Sequence, residues 1–279
     1  MTLFVSDLDG TLLNNSAEVS KESAILLNKS IESAILLNKS IESGINFTIA
    51  TARTPATIVN ILKDINIKLP IITMNGAAIY DIKNNKYLNF TSLPKEKGLE
   101  VYRLIKSFNI NAFIYTINNN HLYVYYDKLV HPYQLEFYNS RKATKYKTFI
   151  QGELNPNFDV LYFTIMDYED KIITLYEKLK LLSDLYIVKY RDTYNKDIIN
   201  LEIYDIKSSK ANAISMIKNR YNFENLITFG DNLNDIPMFN ISDECYAVGN
   251  AVQDLKDIST KIIGKNTDNS VAKFIHNCI

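Results

Sequence analysis

Two aspartates set two residues apart are the strongest chemical signal in this chain. Asp7-Leu8-Asp9-Gly10-Thr11-Leu12 follows directly on the apolar run Leu3-Phe4-Val5. Carboxylates so placed at the mouth of a buried strand can face one ligand, one as nucleophile and the other as general acid and base. Gly10 permits the sharp turn beyond them. An acidic turn with a helix cap is the plainer reading of a bare D-x-D-G-T. A second acidic turn, Gly230-Asp231-Asn232-Leu233-Asn234-Asp235, also follows an apolar run, Leu226-Ile227-Thr228-Phe229. Its hard oxygen donors suit magnesium. It is no EF-hand, because the sixth residue from Asp231 is Ile236 rather than glycine and the twelfth is Ser242 rather than glutamate. A plain Asn/Asp-rich turn is the alternative.

Two weaker signals concern anions. Thr51, in Ala50-Thr51-Ala52-Arg53, ends a run of strand character, where a hydroxyl and free backbone N–H groups can hold a phosphoryl oxygen. A strand-end threonine is more often just a cap. Lys210, in Lys207-Ser208-Ser209-Lys210, begins a helix, where its charge opposes the dipole. A role facing an anion competes with simple solvation, and Lys207 is the rival candidate. His121, His131 and His276 have no ligand spacing. Cys245 reads as an inert buried thiol, and no G-x-x-x-x-G-K-[ST] loop occurs.

The elements that must position these residues read as follows. Leu3 to Val5 is a short buried strand, and helix runs to about Ser43, with Gly44 past its end. Ile45 to Ala50 is a second strand, Thr54-Pro55 opens another helix, and Ile71 to Met74 is a third strand ending at Asn75-Gly76. Strands alternating with helices predict a parallel α/β sheet, with ligands at the carboxyl ends of its strands. Between about Asn84 and Tyr204 the texture changes. Sixteen of the 19 tyrosines fall from Tyr87 to Tyr204, which marks this stretch as a separate α+β insert. Phe113 to Ile117 and His121 to Tyr126 flank Asn118-Asn119-Asn120, a hairpin signal. The tyrosines mostly suit strand packing, with a few available to a sugar or ring. After Tyr204 the α/β rhythm returns with a helix from Lys210 to Asn219 and the strand Leu226 to Phe229.

The chain has 279 residues, enough for about two domains. Its 31 basic and 31 acidic side chains balance, against nucleic-acid or polybasic membrane binding as the main task. Two distant cysteines form neither a disulfide framework nor a zinc signature and fit a reducing cytosol. Acid at Asp7 is not the start of a signal peptide, and no apolar run suits a membrane helix. A cytoplasmic location is expected.

One feature carries no chemistry. Glu22 to Ile31 reads ESAILLNKSI, and Glu32 to Ile41 repeats it unchanged. Ten residues turn a helix through about 2.8 turns, so two copies in one helix point about 80° apart. A long helix is expected, with some of Ile25, Leu26, Leu27, Ile35, Leu36 and Leu37 exposed.

The order D-x-D-G-T, strand-end threonine, lysine, G-D-x-x-N-D resembles the haloacid dehalogenase-like phosphohydrolases. Ile72-Thr73-Met74-Asn75-Gly76-Ala77, Ala247-Val248-Gly249-Asn250-Ala251 and Asn269-Ser270-Val271-Ala272 are similar to segments of its Cof-type branch, so the resemblance spans essentially the whole chain. It implies a magnesium-dependent phosphatase of small phosphorylated metabolites, with sugar phosphates the favoured class. Asp7 would form an aspartyl-phosphate, and Asp9 would protonate the leaving alcohol and then activate water. Thr51, Ala52, Lys210 and Asn234 would serve the phosphate. Mg2+ would be held by Asp7, the Asp9 carbonyl, Asp231 and Asp235. Asn75 and Gly76 would form a rim facing the cap. Two departures stand out: Ala52 where that family usually has glycine, and Ala211 after the lysine, where glycine is common. The separation of 44 residues from Asp7 to Thr51 is also long, and the repeat accounts for the excess.

The expected fold is therefore α/β, a Rossmann-like parallel-sheet core from residues 1–83 plus 205–279. An α+β cap, residues 84–204, is inserted in it and carries specificity. A monomer or weak homodimer acting on a small phosphate ester is expected. A phosphotransferase or mutase of the phosphomannomutase type is the alternative enzyme. A receiver-like phosphoacceptor or binding protein is the alternative non-enzyme. A dehalogenase is disfavoured, because it has no use for Asp9 and a metal site.

Overall fold

The computed structural model describes residues 1–13, 21–154, 157–192 and 195–279, and of residues 21–31 the backbone alone. β1 (Thr2–Ser6) is buried almost throughout, as a strand covered on both faces must be. α1 (Lys21–Glu42) carries both copies of the repeat in one helix. In the second copy Ile35 is 49% exposed while Leu37 is buried; Ile25, Leu26 and Leu27 lie outside the described side chains. β2 (Asn46–Ile49) pairs parallel with β1. The helix opened by Thr54-Pro55 is a single turn, α2 (Pro55–Ile58), shorter than the sequence suggests. β3 (Ile71–Thr73), β4 (Ala78–Asp81) and β5 (Lys86–Phe90) form a small sheet in that order.

The inserted segment has its own core. It comprises α3 (Lys95–Ser107), β6 (Ala112–Asn118), β7 (His121–Tyr126), α4 (Pro132–Arg141), β8 (Lys147–Gln151), β9 (Val160–Tyr168), α5 (Glu169–Leu179), β10 (Leu185–Arg191) and β11 (Ile198–Asp205). The β6–β7 hairpin turns at Asn119 and Asn120, with φ of 47° and 62°, the left-handed pair a two-residue turn requires and asparagine tolerates. Val101, Ile105, Ile172 and Leu175 of the helices pack on Ile114, Phe163, Ile165 and Leu201, every second strand residue. Tyr162 stacks between Tyr115 and Tyr204, with centroids 4.1 and 4.7 Å away. The sheet runs β10-β11-β9-β6-β7-β8, and β8 joins β7 in parallel, the exception in a sheet otherwise antiparallel.

The core then resumes with α6 (Lys210–Tyr221), β12 (Asn225–Gly230), α7 (Ile236–Phe239), β13 (Glu244–Ala247), α8 (Gln253–Asp257), β14 (Lys261–Ile262) and α9 (Ser270–His276). Its sheet is parallel in the order β14-β13-β12-β1-β2. The chain thus divides into one compact unit of Met1–Leu88 with Ser209–Ile279 and another of Asn89–Ser208. Both divisions fall a few residues past the change of texture, because β5 and the end of β11 continue the regular structure. Among the described residues no helix is long and apolar enough to cross a membrane.

One buried charge in the second unit makes a pH prediction. Lys147, at the start of β8, is 2% exposed, with its ammonium 5.1 Å from the centre of the Phe149 ring. Burial, with Arg141 adding to it, pulls the amine down to about 7. Between there and the ordinary lysine value of about 10.4, the unfolded chain holds the proton that the folded chain lacks. Stability therefore rises with pH across that window and is lowest below it. Lys147→Met is expected to stabilise this unit by about 2–4 kcal/mol near pH 7 and to flatten that rise. Denaturant titrations of both proteins at pH 7 and pH 10 check it; equal stability at pH 7 counts against a desolvated amine.

Candidate active site

β1 and β12 lie side by side with Ser6 opposite Phe229, so both chains leave the sheet at the same end. The Asp7 N–H donates to the Phe229 carbonyl at 2.9 Å, extending the pairing by one residue. Asp7 therefore emerges beside Gly230-Asp231. Gly10, at φ 79°, turns the chain back across this end. A Cβ on Gly10 would stand 2.3 Å from Asp231 Oδ2, so only glycine admits this approach. The Thr11 hydroxyl donates to Asp231 Oδ1 at 2.9 Å, and Asn250 Nδ2 donates to the Gly10 carbonyl at 2.7 Å. The first acidic loop is thus tied to the second and to the segment after β13.

Lys210 is the first residue of α6, yet its side chain is buried against carboxylates rather than solvated. Its Nζ donates to Asp7 Oδ1 and to Asp235 Oδ1, each at 2.6 Å. The second Asp235 oxygen accepts the N–H groups of Asp231 and Asn232, at 2.9 and 3.1 Å. Asp235 is wholly buried, and its two oxygens are engaged by the lysine and by its own loop. Asp7 and Asp231 each use one oxygen on a protein donor, and among the described residues nothing donates to the other. Lys207 is exposed and belongs to the second unit, so Lys210 is the lysine at the carboxylates.

Three carboxylates, Asp7, Asp231 and Asp235, bring one oxygen each within 4.8 Å of one another, with a single ammonium among them. Burial pushes the Asp7 carboxyl well above the usual carboxylate range; Lys210 opposes this, and Asp235 and Asp231 add to it. Burial and Asp235 likewise push Asp231 up to about 6, against the Thr11 hydrogen bond. For Lys210 burial works against the charge, but Asp235 and Asp7 outweigh it and hold the amine above its ordinary value. The site is therefore short of positive charge. A hard divalent cation suits it, since Asp7 and Asp231 retain oxygens to offer one.

The remaining candidates line the same sheet end. Thr51 is buried; its own N–H donates to the Ile72 carbonyl at 3.0 Å, and its hydroxyl accepts from the Arg53 N–H at 3.2 Å. Two of the N–H groups expected to be free at this turn are thus engaged, and the Ala52 N–H has no acceptor among the described residues. Asn75, at φ 54°, donates its N–H to the Thr51 carbonyl at 3.0 Å, and its side-chain oxygen accepts from Asn234 Nδ2 at 3.2 Å. Asp9 is the exposed member of the first pair. Arg53 grips it with two hydrogen bonds of 2.6 Å, one to each oxygen.

Gly76 fits α6 against this rim. Its φ is 95°, and a Cβ would lie 2.1 Å from the Ser209 carbonyl oxygen and 2.7 Å from the Lys210 nitrogen. Those atoms are backbone and cannot swing aside. Gly76→Ala is expected to cost about 2–4 kcal/mol and to displace the start of the helix that carries Lys210. Thermal unfolding checks it; an unchanged midpoint would show that this approach is loose.

Sequence reasoning did not single out Arg53, Thr11 or Asn250 as site residues. Their partners Asp9, Asp231 and Gly10 are remote in sequence or carry no pattern that marks a partner. Asn250 lay in a segment noted only for its resemblance.

The sequence pattern of the haloacid dehalogenase-like hydrolases matches residues 4–275. A 5-amino-6-(5-phospho-D-ribitylamino)uracil phosphatase of Bacillus subtilis is 28% identical over 298 residues, covering 99% of this chain and 97% of that protein. Another phosphatase of Bacillus subtilis is 25% identical over 295 residues, covering 98% of each. A solved haloacid dehalogenase-like hydrolase from Bacteroides thetaiotaomicron superposes with a TM-score of 0.75 at 21% identity, over 100% of this chain and 99% of that one. A match along nearly the whole chain, on a parallel-sheet fold shared with such hydrolases, makes this protein a member of the haloacid dehalogenase-like hydrolases and a phosphoric monoester hydrolase.

Proposed function

We propose that the chain hydrolyses small phosphorylated metabolites through a phosphorylated Asp7, with magnesium, and that sugar and sugar-alcohol phosphates are its substrate class. The observation that carries this reading is the buried cluster in which one lysine bridges Asp7 and Asp235 beside Asp231. Asp7 supplies a carboxylate oxygen as the nucleophile. That oxygen bonds to phosphorus as the ester P–O bond breaks, and Asp9 gives a proton to the departing oxygen. Water then attacks phosphorus, its proton passes to Asp9, and the Asp7 carboxylate is released. Lys210, the Ala52 N–H and Thr51 hold phosphoryl oxygens, while Asn234 and Asn75 brace the rim through their mutual hydrogen bond. Asp235 orients Lys210 and the Asp231 loop.

Asp7 and Asp231 would hold magnesium, which would neutralise charge on the transferring phosphoryl group. Such neutralisation is needed because an ester dianion must approach a carboxylate, and electrostatic positioning is the main contribution to phosphoryl transfer. The substrate class is supported by the Bacillus subtilis relative, whose name carries a phosphorylated ribityl chain. The test is phosphate release by the purified protein from an aryl phosphate and from a panel of sugar, sugar-alcohol and other phosphate esters. It is run with magnesium and with chelator. Magnesium-dependent release, fastest on the polyol and sugar esters, is expected. Release unaffected by chelator would overturn the metal assignment, and a preference for other esters would overturn the substrate class.

A further inference from the structure

The bidentate grip of Arg53 on Asp9 makes little sense as a stabilising contact. Both side chains are partly open to water, 37% and 48% exposed, and ion pairs so placed contribute little to folding. Their geometry is nonetheless specific. Arg53 Nε meets Asp9 Oδ2 and the terminal guanidinium nitrogen meets Oδ1, both at 2.6 Å, the fork-to-fork arrangement that fixes orientation as well as distance. The root of the arginine is itself pinned. Its N–H donates to the Thr51 hydroxyl at 3.2 Å, and its carbonyl accepts the Met74 N–H at 3.0 Å. The guanidinium therefore projects from a hydrogen-bonded turn between β2 and α2, and Asp9 from the turn after β1.

We propose that Arg53 is a positioning residue for Asp9, a latch that holds the carboxylate in one orientation until the ester arrives. The inference rests on the proposed role of Asp9 as proton donor and acceptor. In the latched state both Asp9 oxygens accept hydrogen bonds from the guanidinium. To hand a proton to a departing oxygen, Asp9 must turn one of them to the ester, so one of the two bonds opens while the other keeps the carboxylate aimed. The openness of the pair to water makes that exchange easy. A lysine, a single point charge, cannot hold two oxygens at once.

The experiment compares wild type, Arg53→Ala and Arg53→Lys on two esters. In p-nitrophenyl phosphate the departing oxygen is stable without a proton; in an alkyl phosphate such as glycerol phosphate it is not. Arg53→Ala is expected to lower kcat on the alkyl ester by roughly 10–100-fold and on the aryl ester by less than about threefold, with KM for both nearly unchanged. Arg53→Lys should recover only part of the loss. Equal losses on both esters, expressed in KM, would overturn the latch in favour of direct substrate binding, and unchanged kinetics would overturn it outright. A second readout stands apart from turnover. Crystal structures without substrate should show Asp9 in one orientation in wild type and in several in Arg53→Ala. An Asp9 equally fixed without the arginine removes the positioning role whatever the activity. Wild-type protein inactive on every ester would instead refute the phosphatase reading, leaving the orientation result to judge the latch.

Discussion

Replacing Asp7 by asparagine is expected to reduce phosphate-ester turnover by roughly 10⁴-fold or more, because an amide is a poor nucleophile. The fold should survive. The Asn oxygen can still accept from Lys210, which donates to Asp7 Oδ1 at 2.6 Å. The exchange also removes one of three crowded carboxylates served by a single ammonium. Burial already holds the Asp7 carboxyl well above its ordinary range, with Asp235 and Asp231 adding to the effect. A group so displaced detracts from stability at neutral pH, so its neutral isostere should melt at or above the wild-type temperature in chelator. Turnover and melting measured on the same preparation decide the matter. Activity within tenfold of wild type would remove Asp7 as the nucleophile. Lost activity with a collapsed melting point would leave the role undecided between chemistry and folding, and would make Asp7→Glu the next variant to assay.

Lys210→Met should damage both stability and rate. The ammonium is 2% exposed and lies 2.6 Å from oxygens of both Asp7 and Asp235. A methionine of similar length fills the space but leaves two buried carboxylates without their cation. Breaking a buried pair in this way costs about 3–5 kcal/mol. The amine is held above its ordinary value, with burial opposing and Asp235 and Asp7 prevailing. Its contribution is therefore fully present below the ordinary lysine pKa of about 10.4 and is lost as pH rises beyond it. Denaturant titration near pH 7 in chelator is the direct check, and added magnesium should recover part of the loss by supplying the missing charge. Turnover should fall by about 10²–10³-fold, the cost of removing one charge-stabilising donor. Equal stability of variant and wild type in chelator would show that the carboxylates do not depend on this lysine.

The convergence of Asp7, Asp231, Asp235 and Lys210 was readable because each sits at a strand end or a helix start of an alternating pattern. Parallel strands put such ends on one side of the sheet. Contacts that depend on side-chain reach were not readable. Arg53 finds Asp9, and Thr11 finds Asp231, through folded geometry that no local spacing encodes. The backbone at Thr51 shows the same limit. Nothing local says that its N–H will be taken by Ile72, because that partner arrives only with β3. In the insert, β8 (Lys147–Gln151) carries no alternating pattern that marks it as a strand or names its neighbour. The parallel contact with β7 follows from α4 returning the chain to the same edge.

The repeated decapeptide in α1 has a consequence in the gene. Its second copy is the one seen to be docked: Glu32 and Ser33 meet the Asn269 side chain, and the Asn38 side chain donates to the Asp64 carbonyl and accepts the Asn66 N–H. Because the copies are identical, excising either leaves the same chain, and the survivor inherits the docked position next to β2. The helix would shorten by about 15 Å at its far end, while the turn at Thr51 keeps its distance from those anchors. Loss or gain of one whole unit of ten residues also keeps the reading frame. A change of the repeat by one whole unit keeps Ser33 facing Asn269, whereas a partial step within the second copy would rotate it away.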